Sequence, residues 1–73
     1  MQKFLENMTE VLEDTEASLI KAESILRDFN DWDSLAALSL IAMADQEYEV
    51  QLTGADIDSA TTLEDIFKII KSK

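Results

Sequence analysis

The chain has 73 residues, with 16 acids against 6 bases, a net charge of -10, and no Cys, His or Pro. That length supports one domain with one modest core, expected to span residues 1–73, and the missing Cys and His exclude a disulfide scaffold and the usual structural zinc site. The charge disfavours nucleic acid and anionic membrane as partners and favours basic protein surfaces, although a solvated acidic face that only aids solubility has the same composition.

The acids are unevenly placed. From Asp28 to Phe67, forty residues hold ten acids and no Lys or Arg, and the bases lie outside at Lys3, Lys21, Arg27, Lys68, Lys71 and Lys73. No apolar run is long enough to span a bilayer, and the N-terminus lacks the charged-then-apolar pattern of a signal peptide. A cytoplasmic location is therefore expected. Asn7-Met8-Thr9 fits a glycosylation sequon, which without a secretion signal is read as chance.

Gln2 to Asp14 reads as the first helix, with Phe4, Leu5, Met8, Val11 and Leu12 on one stripe and Glu6, Glu10 and Glu13 outside it. Thr15 to Asp33 follows as a long connection. Leu19, Ile20, Ile25, Leu26 and Phe29 are expected to anchor it on the core, and Ser24 to Asp28 can form a helical turn. The second helix is expected from Ser34 to Tyr48. Asp33 is a suitable N-cap, so the Ser34 hydroxyl falls on the first turn, where the helix dipole partly offsets the charge of a phosphate ester.

The stripe Ala37, Leu40, Ile41, Ala44 and Tyr48 suits a core face of this helix. A second apolar set, Leu35, Leu38 and Ala42, is left over on another side, either covered by the long loop or exposed to a partner. Periodicity alone slightly favours the loop. Beyond a connector at Glu49–Leu52, Thr53 with Asp56 makes a capping box for a short helix over Thr53–Asp58. Thr61-Thr62-Leu63-Glu64 reads as a second box, opening a last helix with Leu63, Ile66, Phe67 and Ile70 on its inner face. Lys68, Lys71 and Lys73 near its end suit the dipole.

Catalysis has little support. No His or Cys is available as base or thiolate, and no Lys lies between Lys21 and Lys68 to activate Ser34. The stretch from Asp28 begins like a calcium loop but has Asp33 in place of the required Gly and Ser39 in place of the bidentate Glu, so no metal site is read there.

By itself Asp33-Ser34-Leu35 is explained by helix capping. Over most of the chain, however, the order of elements resembles the acyl carrier proteins: a long loop, Asp-Ser-Leu opening an apolar helix that ends Asp45-Gln46-Glu47-Tyr48, a short helix and a capped final helix. Asp31-Trp32-Asp33-Ser34-Leu35 is most similar to the Trp-Asp-Ser-Leu branch, often dedicated carriers of biosynthetic clusters.

The resemblance implies an all-α, four-helix bundle with three longer helices, one short helix and a long first loop. It also implies a monomer that is not an enzyme. Phosphopantetheine, donated by coenzyme A through a phosphopantetheinyl transferase, would be attached covalently to Ser34 and hold an acyl group as a thioester. Acyl-loading and acyl-processing enzymes with basic docking surfaces would bind Asp33, Leu35, Leu38, Ala42, Asp45 and Glu47, reversing the preference for loop burial of the leftover set. Acyl-pocket positions map onto Leu40, Ala44, Tyr48, Leu52, Ile57, Ala60 and Leu63.

The chain departs from carriers of primary fatty-acid synthesis. Phe29-Asn30-Asp31-Trp32 stands where those have a Leu-Gly pair, and Ala36 and Ser39 stand where they have acids. This points to a dedicated pathway. The rival readings are an aminoacyl or hydroxyacyl cargo and, in a different class, an unmodified acidic adaptor or nucleic-acid mimic binding a basic protein.

Overall fold

Phe4, Met8 and Leu12 recur at the four-residue spacing that stacks side chains on one helix face, and all three are fully buried. They belong to α1 (Gln2–Val11) and the residue after it. The computed structural model describes residues 2–12, 15–30 and 32–73. Leu12 still donates its N–H to the Met8 carbonyl at 2.9 Å. The remainder of the expected first helix, Glu13 and Asp14, lies outside the described residues, as does Asp31.

Three further helices complete an all-α bundle: α2 (Ser34–Tyr48), α3 (Gly54–Ser59) and α4 (Leu63–Ser72). Helix α1 packs on α2, and α3 on α4. Among the described residues no helix is long and apolar enough to cross a membrane.

The long connection contains two 3₁₀ turns, Ala17–Leu19 and Leu26–Asp28. The second overlaps the expected turn. Ile20 and Leu26 are buried and Phe29 packs partly against the core, but the expected anchors Leu19 and Ile25 are 58% and 45% exposed. For Ile25 the reason is backbone pairing. Ile25 forms an isolated antiparallel bridge with Thr62, so side chains alternate and only Leu26 can point inward. Leu26 N donates to the Thr61 carbonyl, Leu63 N to that of Ser24, and Glu64 N to that of Ala22, at 2.9–3.1 Å. The loop is thus held by backbone bonds to the start of α4 as well as by apolar contacts.

The Arg27 side chain strengthens the same junction. Its guanidinium donates to the carbonyls of Ala60, Ile57 and Asp58 at 2.7, 3.2 and 3.1 Å. It thereby adds donors to carbonyls at the C-terminal end of α3, where the internal ladder runs out; that of Ile57 also accepts from Ala60 N at 3.1 Å.

Helix α3 has its expected box: Thr53 Oγ1 accepts from Asp56 N and Asp56 Oδ2 accepts from Thr53 N. In α4 the register is one residue later than expected. The cap is Thr62, with Asp65 as its reciprocal partner, and Glu64 is not part of the box. The sequence offers both registers. The bonded loop settles the choice, because Thr62 is extended (φ -113°, ψ 169°) in its bridge with Ile25, which suits a cap and not a first helical residue.

Candidate functional site

Asp33 is extended (φ -147°, ψ -170°), and its Oδ1 accepts from Ala36 N at 2.9 Å. Its carbonyl accepts from Ala37 N at 3.0 Å, which starts the α2 ladder. This is the expected N-cap. Ser34 is the first residue of α2 and exposed, and its N–H and that of Leu35 have no acceptor among the described residues. Upstream, half-buried Trp32 donates its N–H to the Phe29 carbonyl at 3.1 Å and packs against the core.

The other serines are placed differently. The hydroxyls of Ser24, Ser59 and Ser72 donate to the carbonyls of Leu19, Asp56 and Ile69. Ser18 lies in a 3₁₀ turn and Ser39 in the second turn of α2. Among the described residues, only Ser34 combines an exposed hydroxyl without a hydrogen-bond partner with the first turn of a long helix.

The face beyond Ser34 resolves the ambiguity left by the sequence. Leu35 is 72% and Leu38 62% exposed, and Ala42 is also exposed, so the long loop does not cover this set. The inner face is rotated from the expected stripe. Ala36, Leu40, Met43 and Ala44 are buried, while Ala37, Ile41 and Tyr48 are half-buried. With apolar residues on every side of α2, spacing alone could not fix its rotation. Burial of Ala36 and Met43 was therefore missed.

Asp45 and Glu47 are exposed near the far end of the helix. Glu47 faces Lys3 at 3.7 Å, whereas Asp33 and Asp45 have no cation within ion-pair distance among the described residues. The helix closes at Glu49, which takes the left-handed conformation (φ 55°, ψ 39°) and donates its N–H to the Ala44 and Asp45 carbonyls.

The positions mapped to an acyl pocket are brought together. Leu40, Ala44, Leu52, Ile57, Ala60 and Leu63 lie in one buried cluster, with Tyr48 packed against it. Tyr48 also joins Phe4 and Phe67 in a three-ring group, with centroids 5.4–6.4 Å apart. Burial pushes the Tyr48 phenol up from its usual pKa and neighbouring Glu47 adds to the rise, while Asn7 offsets part of it.

The family model for a phosphopantetheine attachment site matches residues 2–70. The chain belongs to the phosphopantetheine-attachment family. It is a carrier protein with covalent phosphopantetheine as its cofactor, and it is served by modifying and acyl-processing enzymes. Comparison with curated proteins and with solved structures gives no match.

The residues at the start of α2 fit the group that a carrier of this family bears. Attachment needs an accessible hydroxyl, and a phosphodiester beside it is favoured by free backbone N–H groups on a first helical turn. Ser34 and its turn offer both. When bound, the group supplies a thiol that holds cargo as a thioester.

Proposed function

We infer that Ser34 is the attachment serine and that residues 1–73 act as one carrier domain for an acyl group in a dedicated biosynthetic pathway, as a member of the Trp-Asp-Ser-Leu branch. The observation that carries this reading is the exposed Ser34 on the first turn of α2, followed on the same helix by exposed Leu35, Leu38 and Ala42. Asp33 fixes the turn by capping it. The three apolar side chains form the centre of an enzyme-docking face, and Asp45 and Glu47 form its acidic rim. Such rim charges mainly set encounter rate and specificity.

The buried cluster of Leu40, Ala44, Leu52, Ile57, Ala60 and Leu63, flanked by Tyr48, is the reading's apolar shelter for cargo. An acyl cargo is favoured over an aminoacyl one because the six buried residues of that shelter are all apolar, and none of their side chains can receive an amine.

The test is intact mass after incubation with coenzyme A and a promiscuous phosphopantetheinyl transferase. The Ser34 oxygen attacks the phosphorus of coenzyme A and loses its proton, and adenosine 3′,5′-bisphosphate leaves. Wild type should gain one phosphopantetheinyl group and Ser34→Ala none. A gain in Ser34→Ala, or none in wild type with several active transferases, overturns the assignment.

A further inference from the structure

We propose that the groove between α1 and α2 is a second contact surface for a partner enzyme, matched to a helix that carries one apolar residue between two cations. This rests on the reading that α2 is the docking helix, and it adds α1 to the surface a partner reads. The groove has a volume of about 220 Å³. Helix α1 contributes Glu10 and Val11 to its lining, and α2 contributes Ala42, Met43 and Glu47.

The spacing of the two acids follows from how the helices pack. Lys3 of α1 faces Glu47 of α2 at 3.7 Å, and the rings of Phe4 and Tyr48 stand 6.4 Å apart at the same end. Glu10 is seven residues beyond Lys3 along α1. At a rise of 1.5 Å per residue it lies about 10 Å from the level of Glu47. The two carboxylates therefore stand towards opposite ends of the groove, too far apart to share one ammonium group.

The stretch between them is apolar. Met43 is buried, Val11 half-buried and Ala42 exposed, so together they offer contact to one aliphatic side chain. A volume of this size admits side chains but not a helix some 10–12 Å across. The partner helix thus lies over the groove and inserts only its side chains.

Charge selects the partner. Glu10 is exposed and has no cation within ion-pair distance among the described residues. The pair of Glu47 with Lys3 joins two exposed groups, and such a pair is weak enough for an incoming cation to replace Lys3. Two free-facing carboxylates repel an anionic segment and attract Lys or Arg. On a helix, residues seven apart share a face and stand about 10 Å apart, with a residue three or four positions from each lying between them. Cation, apolar residue and cation at those positions meet Glu10, the Val11–Ala42–Met43 surface and Glu47 together. Ala42 also belongs to the exposed set with Leu35 and Leu38, so the groove continues that face. It lies about 12 Å along α2 from Ser34, and a helix seated there leaves Ser34 uncovered.

The test titrates isotope-labelled, unmodified protein with a synthetic helix-forming peptide bearing two Arg seven positions apart and a Leu between them, followed by heteronuclear NMR. Shifts should concentrate on Val11, Ala42 and the side-chain amide of Gln46, which also lines the groove. Glu10→Gln and Glu47→Gln should each raise Kd about threefold, the size of one exposed ion pair. Both residues are exposed, so both variants should fold. A peptide of the same composition with its two Arg on opposite faces should bind more weakly. An unchanged Kd in Glu10→Gln, or equal binding of the two peptides, overturns the charge-spaced site. Shifts confined to Leu35 and Leu38 place the peptide on the open face of α2 and overturn the groove. Because the protein is unmodified, each of those failures leaves attachment at Ser34 intact, whereas a missing mass gain with coenzyme A and transferase overturns attachment and leaves the peptide result standing.

Discussion

The Arg27 guanidinium donates to the Ala60 carbonyl at 2.7 Å across 33 positions of sequence. With its bonds to the Ile57 and Asp58 carbonyls, this ties the loop that leads to Ser34 to the end of α3. The Asp58 carboxylate, at 4.0 Å and largely exposed, adds little. Arg27→Ala should therefore cost about 2 kcal/mol of stability, mainly through the lost charge-assisted bonds. Arg27→Lys should restore only part of this, because one ammonium cannot reproduce a planar fork over three carbonyls. Urea midpoints for the three proteins decide. Equal midpoints for wild type and Arg27→Ala would exclude a stabilising clasp.

Acid should act on the start of α4. The backbone N–H groups of Thr61 and Thr62 hold the Asp65 carboxyl below its usual pKa of 3.8. The folded chain thus binds this proton less readily than the unfolded chain. The contribution of Asp65 is fully present above the unfolded value and disappears as pH falls through the lower folded one. Acid also relieves self-repulsion across the whole acidic chain, so the informative quantity is a difference. The Tm gap between wild type and Asp65→Asn should be constant near neutrality and close below pH 3.8. A gap that persists undiminished into strong acid would count against this role for the carboxylate.

Neighbouring leucines of α2 should respond oppositely. Leu40 is fully buried, so Leu40→Ala should cost about 2–5 kcal/mol through lost burial and a cavity. Leu38 is 62% exposed, and Leu38→Ala should cost under roughly 1 kcal/mol. If it belongs to the docking face, the same change slows loading by the transferase. Urea unfolding and the loading rate, measured on both variants, separate the roles. A large loss of stability in Leu38→Ala with normal loading would return Leu38 to the core.

The sequence was most informative where one chemical demand has one local answer. Asp33 before an apolar run located the start of α2, and Thr53 with Asp56 located α3. It was ambiguous where two answers were locally equivalent. Adjacent threonines left the α4 cap open by one residue, and an apolar helix on all sides left the rotation of α2 open. It was silent on contacts distant in the chain. Nothing near Arg27 announces the carbonyls of Ile57, Asp58 and Ala60, and nothing near Ile25 announces Thr62. For Ser34 the residue type and its cap were legible locally, while the exposure of Leu35 and Leu38 emerged only with the tertiary fold.

The bridge between residues 22–26 and 61–64 has a consequence for the order of events during synthesis. Backbone groups of Ala22, Ser24 and Leu26 find their partners on Thr61, Leu63 and Glu64. A nascent chain that has reached only the end of α2 holds Ser34 already, but not the partners that fix the segment before it. The approach to Ser34 takes its final shape only after the opening of α4 has been translated, so an enzyme that reads that shape acts on the finished fold and not on the growing chain.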